Sequence, residues 1–357
     1  MYIIIRWRSS IWKLLWNDLL IYTILYLIIG LVYRFALPEE YQIHLESFIK
    51  YCHTQNAGLP LTFLLGFYVS LVVSRWWSQY CSLPWPDTIA TFLRAVKMKE
   101  GGEEEARITR RTIVRYCLLA YLLCVRRLSI KLRKKFPTIK EVIQTGLFTE
   151  AEAERIGEED SVRQHGGSNW WMPLLWSTEI AENDVNISSA PVYGFIQMNI
   201  DGYRQKLTEV LTYGHVPIPL VYSQVVHLAV YFYFGVSLIS EQWIIWRKEG
   251  DEVVYLYYPF FMTMKFLFYF GWLRVAETLY NPFGEDDDDF ALEELLNRHV
   301  KVAMKIVDRT EAPPTMLKDA FWDITNPQLM EVKDYDYDEN DATLQLITSQ
   351  EKLDPRN

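Results

Sequence analysis

The sequence lacks the usual marks of an enzyme. None of the spacings G-x-S-x-G, H-E-x-x-H, G-x-x-x-x-G-K-[ST] or G-x-G-x-x-G occurs, so no nucleophile, zinc-protease or nucleotide motif can be read from it. The six histidines, His44, His53, His165, His215, His227 and His299, form no i, i+3 or i+4 pair. Cysteine is equally uninformative. Cys52, Cys81, Cys117 and Cys124 show no CxxC or CxxH spacing, which implies neither a zinc site nor a disulfide framework. A cleavable leader is not expected either, because "MYIIIRWRSS" contains an apolar run of only four residues and no small-residue cleavage site follows.

What the chain has is apolar and aromatic mass: of 357 residues, 50% are hydrophobic and 15% aromatic. A bilayer core of about 30 Å needs roughly 20 mostly apolar helical residues. Four stretches qualify as spans: Leu19 to Leu37, Leu59 to Val73, Val216 to Ser240 and Val253 to Leu273. Their belts of Trp and Tyr favour a polytopic membrane protein over a soluble core. A charge at mid-span costs at least about 2.5–3.5 kcal/mol, so Lys265 is expected to face a protein neighbour or water. Arg6, Arg8 and Lys13 precede the first span and Arg75 follows the second, whereas Glu39, Glu40 and Glu46 face Lys50 alone between them. The positive-inside rule then puts the N-terminus in the cytosol, and four spans return the C-terminus there.

The segment from about 80 to 215 is not membrane-like. "RRTIVRYCLLAYLLCVRRLSIKLRKKF" has helical apolar spacing, and its basic residues, Arg126 to Lys135 among them, are expected on a solvated face. Two short helices are expected around Gly146, with Thr149 as N-cap before Glu152. Asn186-Ile-Ser188 is a glycosylation sequon that would go unused in the cytosol. His227, inside the third span, is expected to be a hydrogen-bonded core residue. The domain plan is therefore 1–80, 81–215, 216–275, 276–325 and an acidic tail, 326–357.

Net charge is −9, but from Pro282 onward there are 19 acids against 8 bases, so the negative charge belongs to the C-terminal quarter. Its densest part is "NPFGEDDDDF", five consecutive acids behind an aromatic stretch. Three readings are open: a solvated charge run, one half of a magnesium–diphosphate site in a membrane enzyme, or a calcium site. The second normally needs two separated acidic motifs, and one is present. Calcium takes six to eight oxygens at about 2.3–2.6 Å, and a Pro–Gly turn could add carbonyls to the carboxylates. In the second span Leu59, Phe63 and Phe67 recur at i, i+4 and i+8 and share one helix stripe. Such a stripe is ordinarily packing, but copied around a symmetry axis it makes apolar rings that can gate by dewetting.

"LGFYVSLVVSRWWSQYCSLPWPD" (65–87), "IPLVYSQVV" (218–226) and "FYFGWLRVAETLYNPFGEDDDDF" (268–290) closely resemble the bestrophins, calcium-activated anion channels of animals. The resemblance runs from about Trp7 to Trp322 and weakens over 145–195. It implies an all-α membrane protein: a homopentamer around one central pore, four transmembrane helices per subunit and a helical cytosolic body. It implies no enzyme and no nucleic-acid partner, but a plasma-membrane channel for chloride, with bicarbonate as a second anion. The family's pore neck falls on Leu59, Phe63 and Phe67, Leu59 replacing the usual Ile. Its calcium clasp falls on Asp286, Asp289, Asn281 and Thr278, the last in place of the usual Gln. Only six residues stand before Trp7 to supply the clasp's further N-terminal carbonyl. The family's second, cytosolic aperture falls on Val192 in "SAPVYGF". Anion preference without a ring of arginines would come from helix N-termini, as Pro60 suggests, and from aromatic ring edges. The rivals are a non-conducting scaffold or regulator of the same fold and a membrane enzyme using the acids for a metal.

Overall fold

The computed structural model describes residues 10–58, 60–95, 102–156, 169–184, 187, 189–242, 259–286, 288–308, 318–319, 321–323 and 325. The chain divides into two units, 1–310 and 311–357. In the described residues of the first unit all regular structure is helical. The helices are α1 (Ile11–Leu31, continued by a π-turn over Val32–Ala36), α2 (Glu39–Ala57), α3 (Leu61–Cys81), α4 (Asp87–Ala95), α5 (Glu103–Leu128), α6 (Ile130–Lys135) and α7 (Ile139–Gln144). They continue as α8 (Glu150–Ile156), α9 (Met172–Asn183), α10 (Ala190–His215), α11 (Leu220–Ser240), α12 (Phe260–Tyr280) and α13 (Leu292–Asp308). The expected fourth span begins at 253, but residues 253–258 lie outside the described residues, as do Arg6, Arg8, the sequon's Asn186 and Ser188, and the tail from 326.

One group of helices is built for lipid. The segments Ile11–Ala36, Leu61–Cys81 and Leu220–Ser240 are each long and apolar enough to cross a membrane. α12 has the same length as α3 and α11, but Lys265, Arg274 and Glu277 lower its apolarity. Prolines sit at the N-caps of α2 (Pro38), α3 (Pro60), α11 (Pro219) and α12 (Pro259). A helix start leaves its first N–H groups unpaired anyway, so a residue without one loses nothing there. α12 packs along α3 and α1, and α11 lies against α1, α2, α3 and α12. Their shared core joins Leu15, Tyr22, Leu65, Tyr68, Val72, Val230, Phe234, Phe266 and Phe270. Outward they leave Phe, Leu, Ile and Trp exposed, among them Leu20, Ile24, Leu228, Phe261 and Phe268.

The boundaries shift from those expected. α1 begins eight residues earlier, capped by Ser10, whose hydroxyl accepts the Lys13 N–H (3.4 Å). α3 continues through Arg75 to Cys81, because Arg75 is satisfied within the protein: it donates to the carbonyls of Tyr213 (2.6 Å) and Val216 (2.9 Å) at the end of α10. A cation there also complements the negative end of that helix. α2 was not expected as a helix at all. Its polarity hides it from an apolarity count, and it is held by Tyr33 donating to Glu46 (2.7 Å) and Asn56 donating to the Tyr233 carbonyl (3.4 Å).

The second group forms a helical body around α5. From Cys117 to Leu122 every α5 side chain is essentially fully buried, which makes it a central helix rather than an amphipathic surface one. The expected solvated basic face is present at Lys131, Arg133, Lys134 and Lys135, which are exposed, and is corrected only at Arg126 and Arg110. Arg126 is buried and donates to the carbonyls of Phe136 and Pro137, while Arg110 is buried against Glu103 (2.6 Å) and the Val307 carbonyl (3.2 Å). The carbonyls make burial of Arg126 tolerable, and Nε and Nη2 of Arg110 likewise meet acceptors, whereas its Nη1 is buried with no hydrogen-bond partner among the described residues. The two short helices around Gly146 are present as α7 and α8, and Gly146 has φ 75°, a left-handed conformation suited to glycine. Thr149 and Glu152 exchange reciprocal bonds at the start of α8 (3.3 and 3.0 Å), the expected cap. Burial would raise the Glu152 carboxyl, but bonds from Arg115, Thr149 and Tyr116 outweigh it and hold it at about 2.

Candidate pore face and acidic loop

On α3 the buried residues Leu61, Leu65, Tyr68 and Val72 form one stripe against α11 and α12. At about 100° per residue, Phe63 and Phe67 lie on the opposite side of the helix. They are 68% and 59% exposed, with ring centroids 4.6 Å apart and the rings edge to face. Two large aromatics thus follow one another along a face that stays largely exposed among the described residues. Leu59 lies outside the described residues. Val192 stands in the first turn of α10 behind Pro191 and is exposed.

The acidic loop follows α12 directly. The Asp286 N–H donates to Oδ2 of Asp289 (2.6 Å), so these two acids are brought together. A Cβ placed on Gly284 would stand 2.8 Å from that oxygen and 3.6 Å from the Asn281 carbonyl. Glycine therefore leaves a hollow bordered by two of the expected ligands. Thr278 donates its hydroxyl to the Val275 carbonyl within α12 (2.9 Å). Burial pushes the Asp289 carboxyl up, and the charges of Asp286 and Asp288 add to the effect. Among the described residues no three His, Cys, Asp or Glu side chains converge on one point, and Asp287 is not among them. The hollow offers oxygen donors alone, the chemistry of a hard cation, with the remaining positions left to carbonyls and water.

Two features of the loop could not be read from the sequence. The turn's carbonyls are not all free: Pro282 accepts from the Phe290 N–H (2.9 Å) and Phe283 from the Ile130 N–H (3.2 Å). The acids also have protein counter-ions. α6 sets Lys134 on Glu285 (2.7 Å), Lys135 on Glu293 and Lys131 near the Asp286 carbonyl (3.5 Å). The basic run at 131–135 and the acid run at 285–289 are thus one electrostatic unit, joined across some 150 residues of sequence.

Sequence reasoning missed a polar chain among the lipid-facing helices. Arg274 of α12 donates to Asp18 of α1 (2.6 and 2.9 Å) and to Glu277 one turn on (2.6 Å). The other Glu277 oxygen meets Nε2 of His227 on α11 (2.7 Å), whose Nδ1 faces the Ser223 carbonyl (2.6 Å). His227 is thus the hydrogen-bonded residue expected, but its main partner lies 50 residues away. Lys265 is exposed on the same side of α12 as Phe261 and Phe268.

Long apolar helices with an exposed apolar surface, carrying a half-buried ionic chain, define a helical membrane protein. Residues 1–309 match the family model described as "Bestrophin, RFP-TM, chloride channel", and the chain belongs to the bestrophin family. It is 37% identical to human Bestrophin-3 over 90% of this chain, and 37% identical to Bestrophin homolog 2 of Caenorhabditis elegans, also over 90%. The matched region is 48% of the human protein's length and 77% of the nematode one's, so the chain spans about half of the former. Two crystal structures of a bacterial bestrophin homolog from Klebsiella pneumoniae share the fold. Each has a TM-score of 0.60, at 18% and 20% identity, covering 81% and 82% of this chain and 97% and 99% of theirs.

Proposed function

We propose that this chain is a subunit of a calcium-activated anion channel of the plasma membrane, a homopentamer around one central pore with both termini cytosolic and α12 as the fourth span. The observation that carries the reading is the α3 face. Phe63 and Phe67 stand exposed, opposite the stripe that packs inside the subunit, and five copies with Leu59 would make stacked apolar rings. Such a neck stays dry and non-conducting until it widens. Chloride, with bicarbonate as an alternative, would be preferred through the partial positive charge of helix N-termini and aromatic edges, and Val192 would form a second, cytosolic constriction. Calcium would be held by Asp289, Asp286 and the Asn281 carbonyl, with Thr278 contributing from α12. When bound, the ion supplies positive charge that offsets the acid run. The chain's own part is mechanical: the loop begins where α12 ends, and α12 packs along α3, so ordering the loop bears on the pore helix.

The test is current through purified protein in planar bilayers under a chloride gradient. A reversal potential tracking chloride supports the channel. Absence of current with intact pentamers favours the scaffold.

A further inference from the structure

Where α3 ends, the chain turns into α4 beside α10 and leaves a cavity of about 310 Å³. Its walls are mostly apolar, with Leu83, Trp85, Ile89 and Met198. Its polar groups are few: Lys206 of α10 supplies a cation, and Thr88 a hydroxyl. Thr88 and Ile89 belong to the first turn of α4, so the positive end of that nine-residue helix borders the cavity as well. Asp87 in the same turn is paired with Arg298 (2.5 Å) and adds no net charge. Lys206 also meets Glu209 at 3.4 Å, but both side chains are half-exposed, so this pair is weak and a better-placed anion displaces it.

Gly202 of α10 keeps the cavity open. It stands mid-helix, where glycine is a poor helix former. A Cβ built there meets no atom within 4 Å, so close packing does not demand glycine, and a larger side chain has the open space of the cavity to enter. We propose that the cavity binds a small amphipathic carboxylate, with its head on Lys206 and the start of α4 and its apolar tail on Trp85 and Met198, and that the bound molecule ties α3 to α10. The space far exceeds one chloride ion, and the apolar walls would leave an inorganic anion without partners over most of its surface. Cys81, the last residue of α3, stands on the same cavity as Gly202. On the channel reading α3 carries Phe63 and Phe67 and α10 begins at Val192, so a molecule held between them biases both constrictions. That coupling rests on the proposed function, whereas the site does not.

Cys81 is an exposed free thiol and reports occupancy directly. The probe is hexanoate, with hexanamide as its neutral counterpart. Two readouts are taken on the detergent-solubilised full chain: the rate of maleimide labelling at Cys81, followed by mass spectrometry, and the melting temperature. Hexanoate should slow the labelling and raise the melting temperature saturably, with hexanamide weaker by about tenfold. Lys206→Met should weaken hexanoate by about tenfold and leave hexanamide unchanged. Gly202→Leu keeps the cation but fills the cavity, and should remove protection by both compounds. No protection by hexanoate, equal protection by hexanamide, or a hexanoate affinity that Lys206→Met leaves unchanged overturns the proposal. Should Gly202→Leu fail to fold, Lys206→Met decides alone. Single-channel recordings at fixed calcium test the coupling: hexanoate should change the open probability of the wild type and not, at the same concentration, that of Lys206→Met. An unchanged open probability overturns the coupling. Should no current flow at all, the channel reading fails while the labelling still decides the site.

Discussion

His299 of α13 illustrates how a single buried group sets a property of the whole body. It is fully buried, its ring meets Trp85 and Tyr121 edge-on (5.2 Å each), and Nε2 has no hydrogen-bond partner among the described residues. Burial, with Arg298 adjacent, pushes its pKa down to about 4. The folded protein thus keeps it neutral where the unfolded chain would bind a proton. Stability should fall as pH drops from about 6.5 toward 4, by on the order of 3 kcal/mol over that range. In His299→Phe this part of the slope should vanish from the pH dependence of the melting temperature. Gly284 is the second informative residue. A methyl there meets the Asp289 carboxylate, so Gly284→Ala should raise the calcium needed for binding, as Asp289→Ala should, with the two compared by calorimetric titration.

Among the elements, α3 and α6 carry the clearest expectations. Replacing Leu59, Phe63 and Phe67 together by alanine should widen the neck and give anion current without calcium. Unchanged calcium dependence would show that these residues only pack. α6 supplies exposed lysines to the acid run, and exposed pairs contribute at most about 1 kcal/mol. Lys134→Ala should therefore tighten calcium binding by no more than about fivefold, since calcium no longer competes with that lysine. How far these elements could be read in advance depended on the kind of signal. The apolar runs, the Phe63–Phe67 stripe, the Thr149 cap and the acid run are local patterns and were legible. α2 was hidden by its polarity. The burial of Arg126 and Arg110, the lysines over the acid run and the Asp18–Arg274–Glu277–His227 chain join distant segments, which periodicity cannot report.

At the scale of the molecule, the fold and the family follow from the helices and the similarities, while the assembly is an inference from one exposed face. Closed rings are the usual result of heterologous self-contact, and native mass spectrometry in mild detergent should give five copies. A monomer or dimer would remove the neck, because Phe63 and Phe67 would then face only lipid. The most direct test of the account is open probability against free calcium for single channels in planar bilayers. The account predicts a saturable rise for the wild type, a shift to higher calcium or loss of activation in Asp286→Ala and Asp289→Ala, and openings without calcium in the neck triple variant. A wild-type curve flat from nanomolar to millimolar calcium, or one that neither acid substitution moves, would contradict it.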